Sequence, residues 1–408
     1  PGQPTVNPRL VKEAVTLFEN GYEVHVIYNF WVRWADEFDE ELFQKYPKIH
    51  WYRVGGHPVF EPIRYLWTRI RRKAYLLLFK IFKRSFFLTE KYAIRAYPEL
   101  LKKTYRIKAD LYIAHNLGAL PVAVMVAKKY NAKVGFDAED YHRGETNSNS
   151  KFYIEKITQY LEDKYFTQVN YCTVASPQIG EAYQQLYPQL KPITIHNVFH
   201  KKLVTCSPTL SNENQPLRLL WFSQTVGKFR GIEDVILALG LLKGLNCQLT
   251  LLGHCSEVVR KYLLLLAEQN KLNHEQVKFL APIVLKSLID LANSFDIGLC
   301  LERNDSKNKD FCLSNKLFMY ILAGNAIIAT DTTAQTTFMQ GYPEIGRVYQ
   351  VGNTEELASH IKFFYENRDA LNRCKQKAFD FGKLELNWEV EQKNFMKLVE
   401  LQLCKHRK

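Results

Sequence analysis

The residue types best suited to chemistry sit in three short stretches. "FDAEDYHRGE", residues 136–145, packs Asp137, Glu139, Asp140, His142, Arg143 and Glu145 behind an apolar run. Carboxylates beside an imidazole at the end of a strand can orient a hydroxyl group or receive its proton. Glu145 reads as a solvated turn acid. His115 and Asn116, closing "DLYIAHN", stand at a second strand end. The other two stretches suit an anion. In "CLSNKLFMYILAGNAIIATD", residues 312–331, Ser314 is placed to cap a helix whose first turn holds Asn315 and Lys316. A helix N-terminus offers free N–H donors and the positive end of a dipole to phosphate oxygens, and a lysine adds a point charge. "QTVGKFRG", residues 224–231, contributes Lys228 and Arg230 from a glycine-flanked loop. Together these groups suit the binding of a phosphate-bearing ligand. Apart from the "DAED" run, nothing offers the paired acids of a divalent-ion site, and no metal is expected.

Holding such groups in place takes strands that end side by side, and the chain is patterned for them. A helix over 10–20 ends at Gly21 and leads to the strand "YEVHVIY". Strand "DLYIAHN", helix "LPVAVMVAKKY", strand "AKVGFDAED", a helix over 151–166, strand "YCTVAS", helix "PQIGEAYQQLY" and strand "PITIHNV" follow. Residues 201–216 are polar and turn-rich, a linker pattern. The alternation then restarts with "LRLLWFSQ" and runs through "CQLTLLG", "VKFLAP", "DIGLCLE" and "AIIAT" with helices between. Near-continuous apolar strands alternating with helices predict parallel sheets covered on both faces, one on each side of the linker. Ligands of such domains bind beyond the carboxyl ends of the strands. One member is missing: the loop "PGQPTVN" should follow a strand, and none precedes it.

At 408 residues the chain is too long for one ordinary core. Eight cysteines are scattered without a CxxC pair, a pattern suited to a reducing cytosol. No apolar run reaches the ~20 residues of a membrane span. The net charge of +13 is concentrated: residues 64–108 hold fourteen Lys or Arg against Glu90 and Glu99. Within 64–87 the basic residues alternate with bulky apolar ones, as in a helix lying on an anionic membrane. An ordinary amphipathic core helix has the same composition. No nucleic-acid motif accompanies the charge, and no nucleic-acid partner is expected.

In their order and spacing these stretches resemble the GT-B glycosyltransferases, most nearly the large retaining family four. The matching segments are "NPRLVKEAVTLFENGYEVHVI", "ITIHNVF", "RLLWFSQTVGKFRGIEDVILAL" and "SNKLFMYILAGNAIIATD". The resemblance implies two Rossmann-like doubly wound domains facing a cleft. Residues 1–200 would form the acceptor side, 201–216 the linker and 217–386 the donor domain, with a helix in 387–408 packing back toward the first domain. It implies transfer of a sugar from a nucleotide-sugar donor to a glycan or lipid-linked hydroxyl acceptor, with retention, in cell-surface polysaccharide or lipid-linked glycan synthesis. Such a protein would be cytoplasmic, peripheral on the inner membrane face, and without a cofactor. The donor would lie against Gly2, His115, Asn197, Gln224, Lys228, Arg230, His254, Ser314, Asn315 and Lys316. Asp137, Glu139, Asp140, His142 and Glu302 would serve the reaction. Met319 and Phe311 depart from the family, standing where it carries glutamates. Glu302, Asp305 and Asp310 are the carboxylates near enough in sequence to substitute. That departure leaves two alternatives, a catalytically silent GT-B binding protein and a nucleotide-sugar epimerase of similar fold.

Overall fold

Asn7 and Pro8 begin the first helix. The Asn7 side chain accepts from Leu10 N–H at 3.0 Å, and Pro8 occupies the position where a missing N–H costs nothing. This helix, α1 (Pro8–Glu19), opens a series described over residues 2–81, 89–145 and 152–404 of a computed structural model. There follow β1 (His25–Asn29), α2 (Ala35–Lys45), β2 (His50–Val54), α3 (Pro62–Ile81), α4 (Thr89–Ala93) and α5 (Tyr97–Thr104). Next come β3 (Leu111–His115), α6 (Leu120–Tyr130), β4 (Lys133–Ala138), α7 (Phe152–Tyr165), β5 (Tyr171–Val174), α8 (Pro177–Leu186) and β6 (Ile193–Thr194). The second half runs β7 (Leu217–Val226), α9 (Ile232–Leu241), β8 (Cys247–Cys255), α10 (Glu257–Gln269), β9 (Val277–Leu280), α11 (Leu285–Asn293) and β10 (Ile297–Cys300). It closes with α12 (Lys307–Phe311), α13 (Asn315–Ala323), β11 (Ala326–Thr330), α14 (Thr333–Gly341), β12 (Gly346–Tyr349), α15 (Thr354–Glu366), α16 (Arg368–Leu384) and α17 (Trp388–Cys404).

Two units result, 1–195 with 392–408 and 196–391. The sequence places the division at 200, with a linker over 201–216. Instead residues 196–216 belong to the second unit, where Arg368 and Asn372 of α16 hold Ser211 through its hydroxyl, N–H and carbonyl. The closing helix begins in the second unit and continues in the first, as part of 392–408. Its expected extension over 405–408 lies outside the described residues.

In the second unit one parallel sheet has the order β12-β11-β10-β7-β8-β9. The expected strands are present, and β12 is an addition at the edge. The first unit departs from expectation. Its strands form two sheets, β1-β2 and β3-β4-β5-β6, because no strand among the described residues joins β1 to β3. The expected strand "PITIHNV" shrinks to the two residues of β6.

Helix α13 is buried throughout from Leu317 to Ala323. Tyr320 lays its ring against Gly298 of β10, where a β-carbon would stand 2.2 Å from the ring, and donates to Leu220 O at 2.9 Å. That contact fixes the helix on the sheet, and it leaves Met319 fully buried as a core residue. Met319→Glu should therefore place an unpaired carboxyl in the core and destabilise the fold by at least about 3 kcal/mol. Chemical denaturation of the two chains measures this, and equal midpoints would remove Met319 from the core.

Candidate functional site

The sheet register builds the first cluster. His115, Asp137 and Thr173 are aligned across β3, β4 and β5, so their side chains share one face. Arg9 of α1 is wholly buried against them. Its Nε lies 2.8 Å from Asp137 Oδ2 and 3.7 Å from Glu13 Oε1, and its Nη1 donates to Ile195 O. His115 places Nε2 3.3 Å from Glu13 and Nδ1 3.2 Å from Asp137 and 4.0 Å from Glu139. Thr173 donates its hydroxyl to Asp137 at 2.7 Å.

The charges in this cluster set one another. Burial disfavours charge on His115, but Glu13 and Asp137 outweigh it and push the imidazole up to about 10. Burial likewise raises Asp137, yet Arg9 and His115 bring it net below the usual carboxylate range. Glu139 is pushed up to about 7 by burial and by the charge of Asp137. Half-buried Lys12 falls to about 7 through burial and the neighbouring Arg9. A cation fixed at His115 beside a carboxyl titrating near neutrality can bind a hydroxyl and receive its proton. His115, Asp137 and Glu139 also offer ligand atoms within 4.8 Å of one another, enough to hold a metal ion, although Arg9 already occupies Asp137.

His142 is directed elsewhere. Its Nδ1 lies 2.7 Å from Glu145, and its N–H donates to the Tyr183 hydroxyl, which donates to Glu162. Arg143 pairs with Glu162 and Asp163. Half-buried Asp140 has its backbone carbonyl 3.3 Å from the Tyr183 hydroxyl. Gly2 has no need of a glycine conformation here, since a β-carbon would meet only Trp31 at 3.8 Å. Sequence reasoning missed Arg9, Glu13, Lys12 and Thr173. Arg9 and Glu13 lie one turn apart on α1, on the buried stripe that continues to Thr16.

The second unit gathers the anion-binding candidates at the ends of β7, β8 and β10. Gly231, at φ 79°, starts α9 so close to Leu301 that a β-carbon would lie 2.7 Å away, bringing the basic loop to the end of β10. Arg230 donates to Thr225 O at 2.7 Å and to Ser223 Oγ at 3.2 Å, and Lys228 lies over the Tyr262 ring. Gln224 is exposed in a bulge between Phe222 and Thr225, and exposed His254 pairs in register with Thr225. Asn197 is buried in the same unit.

At the start of α13, Lys316 lies 2.5 Å from Glu302. Burial pushes Glu302 up, but Lys316 and the nearby Ser314 hydroxyl bring it net below the usual range. Ser314 is the N-cap by its backbone, whose carbonyl accepts from Leu317. Its hydroxyl does not cap the helix as the sequence suggests, so exposed Asn315 and the first-turn N–H groups keep no side-chain partner from it. Of the three candidate carboxylates, Asp305 pairs with Lys309 and Asp310 caps Thr333. Glu302 is the one against Lys316.

Solved structures match nearly the whole chain. HepE of Anabaena, determined with UDP, has a TM-score of 0.68 at 12% identity over 96% of this chain and 94% of its own. The sucrose-phosphate synthase of Thermosynechococcus elongatus has 0.69 at 14% over 98% and 93%. A glycosyltransferase of Rickettsia africae ESF-5 has 0.64 at 12% over 98% and 96%. The fold is GT-B, two Rossmann-like parallel α/β domains. No protein-family model matches the chain, and no curated protein matches it in sequence. HepE has also been determined with UDP-glucose.

The charge on His115 gives a pH signature. Its stabilisation is complete below the unfolded value of about 6.5 and is lost as pH rises through about 10. His115→Gln should lower the melting temperature most near pH 6, with the deficit closing toward pH ~10. Melting curves of both chains across that range decide it, and a deficit constant with pH would assign His115 a packing role alone.

Proposed function

We propose that this protein is a glycosyltransferase, moving a sugar from a nucleoside-diphosphate donor to a hydroxyl acceptor. The observation that carries the reading is the second unit's set of strand ends. There the helix N-terminus of α13, Lys316 and the Arg230 loop converge on adjacent strands of a GT-B domain. The N–H groups of α13 would receive diphosphate oxygens, and Lys316 and Arg230 would balance the charge that grows as the glycosidic bond breaks. These donors do the work a divalent ion would otherwise do, so we expect turnover without metal. Glu302 supplies the carboxylate that Met319 and Phe311 lack. In the first unit, Glu139 would accept the acceptor's proton beside charged His115. Retention of configuration, a hexosyl donor and a role in surface or lipid-linked glycan synthesis belong to the same proposal, by likeness to the family.

Association with an anionic membrane is the second element. Among the described residues no helix is long and apolar enough to cross a membrane. Helix α3, however, turns its apolar stripe outward: Ile63, Leu66, Trp67, Ile70, Leu77 and Ile81 are all at least half exposed. Arg69 and Lys73 are exposed on the same helix. Arg71 instead pairs with Glu99, and Arg72 with Tyr92 O, so these two brace the fold. The rest of the basic segment, 82–87, lies outside the described residues.

The donor site is tested by assaying nucleotide sugars, with and without hydroxyl acceptors, in excess chelator. Arg230→Ala and Lys316→Ala should each lower kcat/KM about ten- to a hundredfold while the chain stays folded, the value of a charge-assisted hydrogen bond of roughly 1.5–3 kcal/mol. Part of the loss should fall on kcat, because the charge appears in the transition state. Unchanged turnover in both would move the diphosphate elsewhere. Donor turnover that ignores every acceptor would favour the epimerase-like alternative, and donor binding without any turnover the silent binding protein.

Binding to anionic vesicles should weaken as salt rises. Arg69→Gln with Lys73→Gln should reduce it severalfold at unchanged melting temperature. Equal binding by the double variant, or none by the parent, would make the outward stripe something other than a membrane face.

A further inference from the structure

Two histidines open adjacent strands and stand face to face. His25 is the first residue of β1 and His50 the first of β2, and the parallel register sets them side by side. Val24, Val26 and Ile49 form a small core with Ala14 and Val15 of α1, and Trp51 packs against it. Strand alternation therefore turns His25 and His50 to the opposite face. Their rings stack at 4.6 Å with 17° between the planes. Tyr52 adds a third near-parallel ring, 5.9 Å from His25.

The end of α1 delivers a carboxylate to the same point. Gly21, at φ 84°, closes the helix in the left-handed conformation, and Tyr22 N–H donates to Leu17 O at 3.1 Å. The chain then joins the sheet at once, since Val24 O accepts from His50 N–H at 2.9 Å. Glu23, two residues before His25, brings Oε1 to 3.0 Å from His25 Nε2 and 3.7 Å from His50 Nε2. The ligand atoms of all three side chains lie within 4.8 Å of one another.

Hydrogen bonding accounts for one of these contacts. The 3.0 Å separation is ordinary for it, but 3.7 Å is too long. A shared ion accounts for both. Ligands held at ~2.0–2.1 Å around a tetrahedral zinc ion stand ~3.3 Å apart, and the two observed separations bracket that spacing. His25 Nδ1 is buried without a hydrogen-bond partner, which leaves Nε2 as the nitrogen to meet a ligand. Two imidazoles with one carboxylate suit zinc, whereas magnesium and calcium take oxygen ligands.

Both histidines begin their strands, while His115 and Asp137 stand toward the carboxyl ends of β3 and β4. An ion at His25 and His50 would tie β1 to β2 and both to the turn after α1. Its task is to hold the sheet, apart from the transfer chemistry proposed above. We propose that Glu23, His25 and His50 bind a zinc ion that fastens the β1–β2 sheet, with solvent at its remaining position.

The 408-residue chain, stripped with chelator and dialysed, tests this by calorimetric titration with zinc chloride. The parent should bind zinc, and an excess of magnesium chloride should not compete. Glu23→Gln and His50→Gln should each weaken binding at least about tenfold. Both side chains are exposed, so the metal-free variants should melt with the parent. Zinc at about a hundred times the parent's dissociation constant should slow amide exchange along β1 and β2 about a hundredfold in the parent, and about tenfold or less in either variant. No zinc binding by the parent would overturn the site. Undiminished binding by either variant would overturn the three-ligand centre and send the ion to the His115 group or the cysteines. Zinc binding that left exchange in both strands unchanged would overturn the fastening role.

Discussion

A guanidinium with no solvent exposure is the constraint around which the first unit is arranged. An ion of that size loses several kcal/mol of hydration on burial, and only partners with good geometry restore it. Arg9 finds them in Asp137, Glu13 and the Ile195 carbonyl, which lie on β4, on its own helix and just beyond β6. The position of α1 on the sheet, the register of β3 against β4 and the course of the chain after β6 are therefore one problem with one solution. A slip of one residue between β3 and β4 would turn His115 away from Asp137 and break that pair. The chemistry of the cluster follows from the same requirement. Anions gathered to neutralise Arg9 also keep His115 charged, and crowding among them lifts Glu139 toward neutrality.

In the second unit close packing fills the organising role. Tyr320 against Gly298 sets the height of α13 above the sheet, and Gly231 against Leu301 sets the distance of the Arg230 loop from the end of β10. Both depend on the absence of a side chain. Lys316 and Arg230 reach solvent-facing strand ends, while the contacts that place them are dry and apolar. Cationic heads are thus carried on fixed stems, an arrangement suited to a charged ligand that must enter and leave. The Lys316–Glu302 pair fits that use, since an arriving phosphate competes for a lysine whose present partner is a single carboxylate.

What the sequence made legible was the part governed by local pattern. Helix α13 begins at Asn315 and ends before Gly324, and α6 spans Leu120–Tyr130, as their apolar spacing and end residues indicate. The interior strands of the second unit appear where the continuous apolar runs lie. Strand β2, "HWYRV", was not apparent, because an aromatic and polar run at a sheet edge has no alternation to betray it. Arg9 and Glu13, four residues apart on a helix, look the same in sequence whether solvated or buried. The Lys316–Glu302 pair joins positions separated by a helix and a loop, and Ser314 followed the capping pattern without making the bond. Such facts depend on which surfaces meet in space, and spacing along the chain does not carry that information.

Helix α3 shows the same limit in reverse. Its sequence contains two partly apolar faces, and either could have been buried. Inward the structure places Tyr65, Thr68, Tyr75 and Phe79, and each finds a partner off the helix: Arg95 lies over Tyr65 and donates to the Thr68 hydroxyl, Lys91 lies over Tyr75, and Phe79 meets Tyr92 at 4.5 Å. Arg71 and Arg72 lock that orientation through Glu99 and Tyr92 O. The aliphatic stripe is consequently the one left over, facing outward in a helix whose rotation is already decided by other bonds. An ordinary surface helix buries its most apolar side. Here polar and aromatic contacts decide which side goes in, so the exposed stripe is a fixed property of the folded unit and does not depend on the helix coming loose.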